Sequence, residues 1–364
     1  MRARLSARRL LVAGLGAVFA VATFAYFLPQ IADYRDVWGV VKGLSWAWTV
    51  ALAAATALNL TTFAPPWQIV LPGLRFRSAL ALTQVSTALA IVAPAGAAVG
   101  IAGAYGILRG WGFRVREIGR AVTIVSLWNQ FANLSYPVIA VVLLAAFGTD
   151  SPALVTAGLV GAGVLGAAFV TLGSVLSSDR TANWIGEFAA RTADRIGTRL
   201  GRAPVVWGGA SFERFRGDVV GLLRRRWHVL TLATYVGTLT VFLVLLLALR
   251  ALGVDSSEVT TVEAFAAWSL SRLLGTIPIT PGGVGVVELS LTGALVGFGG
   301  ANAGVVAAVL VYRFLTVVPT IVLGLAAAAT LRGGGTSPAS RSQSADASPA
   351  EASGASQRAD SAER

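Results

Sequence analysis

Three ionisable residues lie inside apolar stretches of this chain: Arg272, Glu288 and Arg313. Between the two arginines runs "TIPITPGGVGVVELSL", residues 276–291, with two prolines, three glycines and one carboxylate. A charge at membrane depth costs roughly 2.5–3.5 kcal/mol on insertion scales, so it normally faces a partner or a cavity. Glu288 and one arginine could pair, which leaves the other free for an anionic substrate; Arg313, about nine residues into the last span, is expected within contact or one-water distance of Glu288, with Arg272 nearby. The same residues could instead form a purely structural ion network. Glu288 could also couple movement to protonation.

The backbone around these charges is built to break. Pro278 and Pro281 interrupt the helix, and Pro281 is expected to end a half-helix. Gly282, Gly283 and Gly285 permit unusual dihedrals and close approach to a ligand. A second half-helix starting near Val286 would aim its N–H groups and positive dipole end at the bend, a setting that suits an anion such as phosphate. The alternative is that these glycines only let helices pack closely. The corresponding region of the first half of the chain is polar but uncharged: Asn129, Gln130 and Asn133. Asn129 stands where Arg313 stands in the second half. These amides either line the same cavity or bond helices together.

Such residues need a membrane fold to hold them, and the composition specifies one. Hydrophobic residues make up 55% of the 364 and charged residues only 13%; soluble domains carry about a quarter charged residues. Mean hydropathy is +0.72. The net charge of +12 comes almost entirely from arginine, with Lys42 the only lysine. The arginines flank apolar segments, a pattern that matches the positive-inside rule and anionic lipid headgroups, not nucleic acid. The absence of cysteine excludes disulfides, thiolate metal sites and a cysteine nucleophile. The single histidine, His228, beside Arg224–Arg226, reads as interfacial. No metal or cofactor is expected, and no phosphate-binding Walker motif is present.

Hydropathy marks eight apolar blocks, at 10–28, 46–70, 79–108, 121–147, 153–176, 228–249, 264–298 and 304–330. The first follows Arg2, Arg4, Arg8 and Arg9 and reads as an uncleaved span. Charge assigns the sides. Arg75 and Arg77 precede block 79–108, and Arg109, Arg114, Arg116 and Arg120 follow it, so both of its ends are cytoplasmic. Thirty residues cannot cross twice at ~1.5 Å per residue, and Pro94 and Gly96 sit at the middle. The block is therefore expected to be a re-entrant hairpin. Loop 177–227, with ten arginines against five acids, is inside, and the acidic 255–263 connection is outside. Block 264–298 then has both ends outside and forms a second re-entrant hairpin, reached from the opposite face.

A weak internal repeat agrees. At an offset of 185, Ser86, Leu89, Val99 and Gly100 meet Ser271, Leu274, Val284 and Gly285. Pro137 and Pro319 correspond at 182. Span, hairpin, span (46–147) recurs as span, hairpin, span (228–330) with inverted orientation, a transporter design with broken helices meeting near the midplane. The expected fold is thus an all-α polytopic membrane protein with about six spanning helices and two re-entrant hairpins in inverted repeats. It forms one transmembrane unit, 1–332, with both termini cytoplasmic. Loop 177–227 contains amphipathic stretches, among them "FERFRGDVVGLL", which either lie in the membrane interface or pack on the membrane domain. Residues 333–364 are a low-complexity tail, expected to be disordered.

"PITPGGVGVVELSLTGAL" followed by "VLVYRFLTVVPTIVLGL" resembles the signature of the flippase-like transmembrane family, which is related to the membrane domain of lysylphosphatidylglycerol synthases. Its pattern is P-x-P-G-G-[IV]-G-x-x-E, then Y-R-x-x-T. Pro281, Gly282, Gly283, Gly285 and Glu288 match, as do Tyr312, Arg313 and Thr316; Pro278 stands one residue further from Pro281 than in the tightest version. The chain departs from the pattern in the first hairpin, where "PAGAAVGIAGAYGILRG" lacks the usual acid, and at Trp128-Asn129-Gln130, which replace a Glu-Arg pair. Full synthases of the family carry a soluble aminoacyl-transfer domain after the membrane part, and none is expected here, where a low-complexity tail follows instead.

The resemblance implies lipid handling without synthesis. The expected function is translocation of an anionic lipid or lipid-linked headgroup across a bacterial-type inner (plasma) membrane, with no enzymatic activity. The site would lie between the bends at Pro94, Gly96 and Gly100 and at Pro278–Gly285, with Arg272 and Arg313 holding the headgroup. The alternative is a non-catalytic scaffold for a separately encoded envelope enzyme. A membrane transferase lacks support, because no paired carboxylates or nucleophile–base arrangement is visible.

Overall fold

The computed structural model describes residues 42–93, 96–147, 163, 166–167, 170, 209–276 and 280–333. The block expected at 10–28, nearly all of that at 153–176, the 177–208 part of the loop, Pro94, Pro278 and the tail beyond 333 lie outside the described residues. Every regular element among the described residues is helical: α1 (Trp46–Thr62), α2 (Pro65–Val70), α3 (Phe76–Val92), α4 (Gly96–Gly110), α5 (Val115–Phe147), α6 (Gly209–Ala251), α7 (Thr261–Leu274), α8 (Val286–Gly297) and α9 (Asn302–Gly333). Four stretches are long and apolar enough to cross a bilayer: Trp46–Val70, Val115–Phe147, Arg225–Ala251 and Asn302–Thr330. The fold is all-α and polytopic. Its surface fits lipid, since Leu58, Val142, Leu232, Leu289, Phe314 and Val322 all expose large apolar side chains.

Local chemistry sets the helix ends. Thr260 and Glu263 form a reciprocal capping box on α7, with the Thr260 N–H donating to Glu263 Oε2 at 2.8 Å. The Arg114 N–H donates to Glu117 Oε2 at 2.9 Å and fixes the start of α5. α1 gives way to α2 at Pro65–Pro66, where proline supplies the first turn of a new helix. Pro137 and Pro319 sit inside α5 and α9. Each lacks the N–H that would bond the carbonyl four residues earlier.

The two broken blocks form helical pairs. α3 and α4, of 17 and 15 residues, reach about 26 and 23 Å at 1.5 Å per residue. α7 and α8, of 14 and 12 residues, reach about 21 and 18 Å. Each falls short of a hydrocarbon core about 30 Å thick. In the first pair, a side chain on Gly96 would overlap the carbonyl of Ala90, and one on Gly100 would come 2.7 Å from Ser86 O. The arms are therefore antiparallel and nearly in backbone contact. The first arm ends at Val92 and the second begins at Gly96. In the second pair the break is longer. α7 already ends at Leu274 with Gly275 as its cap, and Pro281 opens a 3₁₀ turn, Pro281–Gly283. The expectation that Pro281 ends a half-helix is corrected: the first arm stops seven residues earlier.

The halves pack reciprocally. α3 of the first lies along α9 of the second, α7 of the second lies along α5 of the first, and α1 pairs with α6. The hairpins meet at their tips: a Cβ on Gly282 would sit 3.1 Å from Ile91 O, at the end of α3. No extended packing joins the arms of one hairpin to the arms of the other. Tip-to-tip contact without side-by-side arms fits hairpins reached from opposite faces.

One boundary differs from the sequence reading. α6 runs unbroken from Gly209 to Ala251, 43 residues. "FERFRGDVVGLL" is therefore the N-terminal extension of a span and not a separate helix lying flat in the interface. No proline interrupts it, and Gly217 and Gly221 are tolerated within the helix at modest cost.

The larger core joins the halves. Tyr136 on α5 stacks edge-on against Phe265 and Trp268 on α7, with centroids 5.9 and 5.3 Å apart. Phe242 on α6 completes the aromatic cluster. The Ser135 and Tyr235 hydroxyls share a 2.6 Å hydrogen bond. This group lies one helical turn before Arg272 and braces it.

Candidate functional site

The second bend is stapled by the buried charges. Arg313 Nε donates to Glu288 Oε1 at 2.6 Å. Arg313 Nη2 donates to the carbonyl of Gly282 at 3.0 Å. The Gly285 N–H donates to Glu288 Oε2 at 2.7 Å. Gly282, Gly283 and Gly285 all have positive φ, at 61°, 66° and 83°, conformations that cost an L-residue with a side chain roughly 1–2 kcal/mol. The glycines are therefore required by the turn. The motif as a whole wraps backbone around one buried ion pair, whose side chains are only 3% and 10% exposed.

This corrects the expected anion site. The N-terminus of α8 is capped by the protein's own carboxylate, since both oxygens of Glu288 are engaged by Gly285 and Arg313. Glu288 braces the bend. The pairing expected between Glu288 and one arginine is present, and it leaves Arg272 as the cation with no carboxylate at salt-bridge distance among the described residues.

Arg272 is held by neutral groups. Its Nε donates to Asn133 Oδ1 at 2.7 Å. Asn133 Nδ2 in turn donates to Gln130 Oε1 at 3.2 Å. The guanidinium carbon lies 5.6 Å from the ring centre of Trp268, over its face. Trp268 precedes Arg272 by four residues, on the same side of α7. A guanidinium has five N–H donors, and among the described residues only Nε has a protein acceptor, which leaves the terminal nitrogens for a ligand.

Two cavities meet at this point. The first, about 230 Å³, is lined by Arg272, Gly282, Tyr312 and Arg313 with Trp268 and Asn133. The second, about 310 Å³, is built largely from the first half and is lined by Thr87, Gly100, Ser126 and Asn129 among others. Arg272 and Asn133 line both. Asn129 and Arg313, at corresponding positions in the two halves, thus line different cavities that share a wall. Gln130 is exposed and acts through Asn133. Gly96 lines neither cavity and serves the close approach of α3 and α4. The Thr316 hydroxyl donates to the Tyr312 carbonyl at 2.9 Å, within its own helix. Nothing further is described for Pro94 or Pro278, and of Pro281 only its backbone turn.

Trp268 is the contact that sequence reasoning left out of the site, while Asn133 stood among the amides expected either to line a cavity or to bond helices together, and it does both. Asn133 carried a signal, as a polar residue among apolar ones one turn after Asn129. Trp268 carried none, because an aromatic four residues before a charge is indistinguishable from ordinary core.

No curated protein matches the chain at a significant level. A sequence model of the family described as the lysylphosphatidylglycerol synthase TM region matches residues 10–324, most of the chain, and the protein belongs to that family.

Proposed function

We propose that this protein moves an anionic lipid or lipid-linked headgroup across a bacterial-type inner membrane, without catalysing a chemical step. Membership of a transmembrane family tied to lipid modification supports lipid handling. The observation that carries the reading is Arg272: a cation with no carboxylate partner among the described residues, in a wall common to two cavities, one lined mainly by each half. A buried lone charge is costly, and a headgroup phosphate would compensate it. Motion that shifts the guanidinium from one cavity to the other would pass the phosphate between them. The arginine distribution supports a cytoplasmic position for both termini.

The test is translocation of labelled lipids in vesicles containing the purified protein. Anionic lipids should cross faster than in empty vesicles. Arg272→Ala should reduce that rate by tenfold or more, and Arg272→Lys should restore part of it. A scaffold for a separate envelope enzyme would show no translocation and no effect of Arg272→Ala, an outcome that rejects the proposal.

A further inference from the structure

The cavity of the first half is an uncharged, hydroxyl-rich chamber beside a cation. Thr87, Ser126, Asn129 and Thr234 line it, and none of their side chains has a hydrogen-bond partner among the described residues. Unpaired polar groups among membrane helices are costly, so a ligand or water must satisfy them. Hydroxyls and amides both donate and accept. That combination complements other hydroxyl groups. A phosphate, which only accepts, would use the donors alone, and an ammonium, which only donates, would use the acceptors alone. No carboxylate lines either cavity among the described residues, because Glu288 is turned into its bonds with Arg313 and Gly285. An ammonium there would face Arg272 with nothing to offset it. The volume of about 310 Å³ lies at the lower end of small-molecule pockets, which run about 300–1,000 Å³.

Resting on the translocation reading above, we infer that this chamber receives the neutral polyhydroxyl part of a headgroup, a glycerol or a sugar, whose phosphodiester sits at Arg272. The substrate class is a singly charged polyol phosphodiester. Headgroups bearing an added ammonium, such as aminoacylated ones, are disfavoured.

The experiment compares three labelled lipids at low mole fraction in phosphatidylcholine vesicles containing the full chain. Phosphatidylglycerol carries the diester and two hydroxyls, phosphatidylmethanol carries the same charge and no hydroxyl, and lysyl-phosphatidylglycerol adds ammonium groups. Phosphatidylglycerol should move roughly tenfold faster than either of the others, the scale expected from one or two hydrogen bonds to the cavity hydroxyls. Thr87→Val with Ser126→Ala should lower phosphatidylglycerol to the phosphatidylmethanol rate. Thr87→Ser should retain the preference, which separates lost recognition from lost folding. Equal rates for phosphatidylglycerol and phosphatidylmethanol in the native protein would mean that the chamber holds only water, and would overturn the inference while leaving translocation standing. A preference for lysyl-phosphatidylglycerol would overturn it too. If none of the three moves, the translocation reading itself fails. Soluble glycerophosphoglycerol in excess should compete weakly; competition equal to that of the lipid would keep the polyol chamber and reject a lipid as its source.

Discussion

Arg313 and Arg272 have the same side chain and opposite situations. Arg313 is neutralised by Glu288 and holds the Gly282 carbonyl, whereas Arg272 rests on an amide and an indole face. Removing Arg313 strands a buried carboxylate, and losing one partner of a buried pair costs about 3–5 kcal/mol. Arg313→Ala should therefore lower thermal stability in detergent sharply. The double change Glu288→Gln, Arg313→Gln should be less damaging than Arg313→Ala alone, because two neutral amides can still bond each other and the bend. If the double variant unfolds as readily as the single, the charge argument fails. Arg272→Ala, which strands no carboxylate, should leave the melting temperature nearly unchanged.

At the scale of the elements, glycine decides how closely helices approach. Gly324 on α9 faces α3 so tightly that a Cβ would lie 2.7 Å from Gln84 O and 2.6 Å from the Ala88 Cβ. The obstacle includes backbone, which cannot rotate away. Gly324→Val should thus separate α3 from α9 and cost on the order of 1–3 kcal/mol or more, read as a lower melting temperature. Gly293, whose Cβ position has nothing within 4 Å, serves as the control and should tolerate alanine. At the bend, Gly282→Ala meets both a positive φ and Ile91 O at 3.1 Å, so it should disturb the contact between the two hairpin tips. Loss of translocation with a smaller loss of stability is expected there, and an unchanged rate would show that the tip contact is dispensable.

At the scale of the whole molecule, reciprocal packing and tip-to-tip hairpins predict two faces. The turn at 111–114 should lie on the cytoplasmic side and the turn at 298–301 on the other. The native chain has no cysteine, so Gly112→Cys and Asn302→Cys can each be tested with an impermeant thiol reagent in sealed cells. Only Asn302→Cys should label from outside. Labelling of both from outside would reject the inverted arrangement.

The sequence by itself determined the membrane class, the four long spans described and the existence of both breaks. These rest on local properties: apolar runs of sufficient length, and proline and glycine that cannot continue a helix in lipid. The motif from Pro281 to Glu288, with Tyr312 and Arg313, was equally legible, because a charge in an apolar run is conspicuous wherever the chain folds. That Arg313 takes Glu288 was legible as well, because Arg313 lies ~13 Å into the last span at 1.5 Å per residue and Glu288, one turn past the bend, points back toward it; the structure brings the two together across 25 residues. The capping of α8 by Glu288, the early end of α7 at Leu274 and the continuation of α6 back to Gly209 depend on which backbone groups find partners, which periodicity does not encode. The cavities belong wholly to tertiary structure. Asn133 and Arg272 are 139 residues apart in sequence and 2.7 Å apart in space, and only the packing of α5 on α7 makes them one wall.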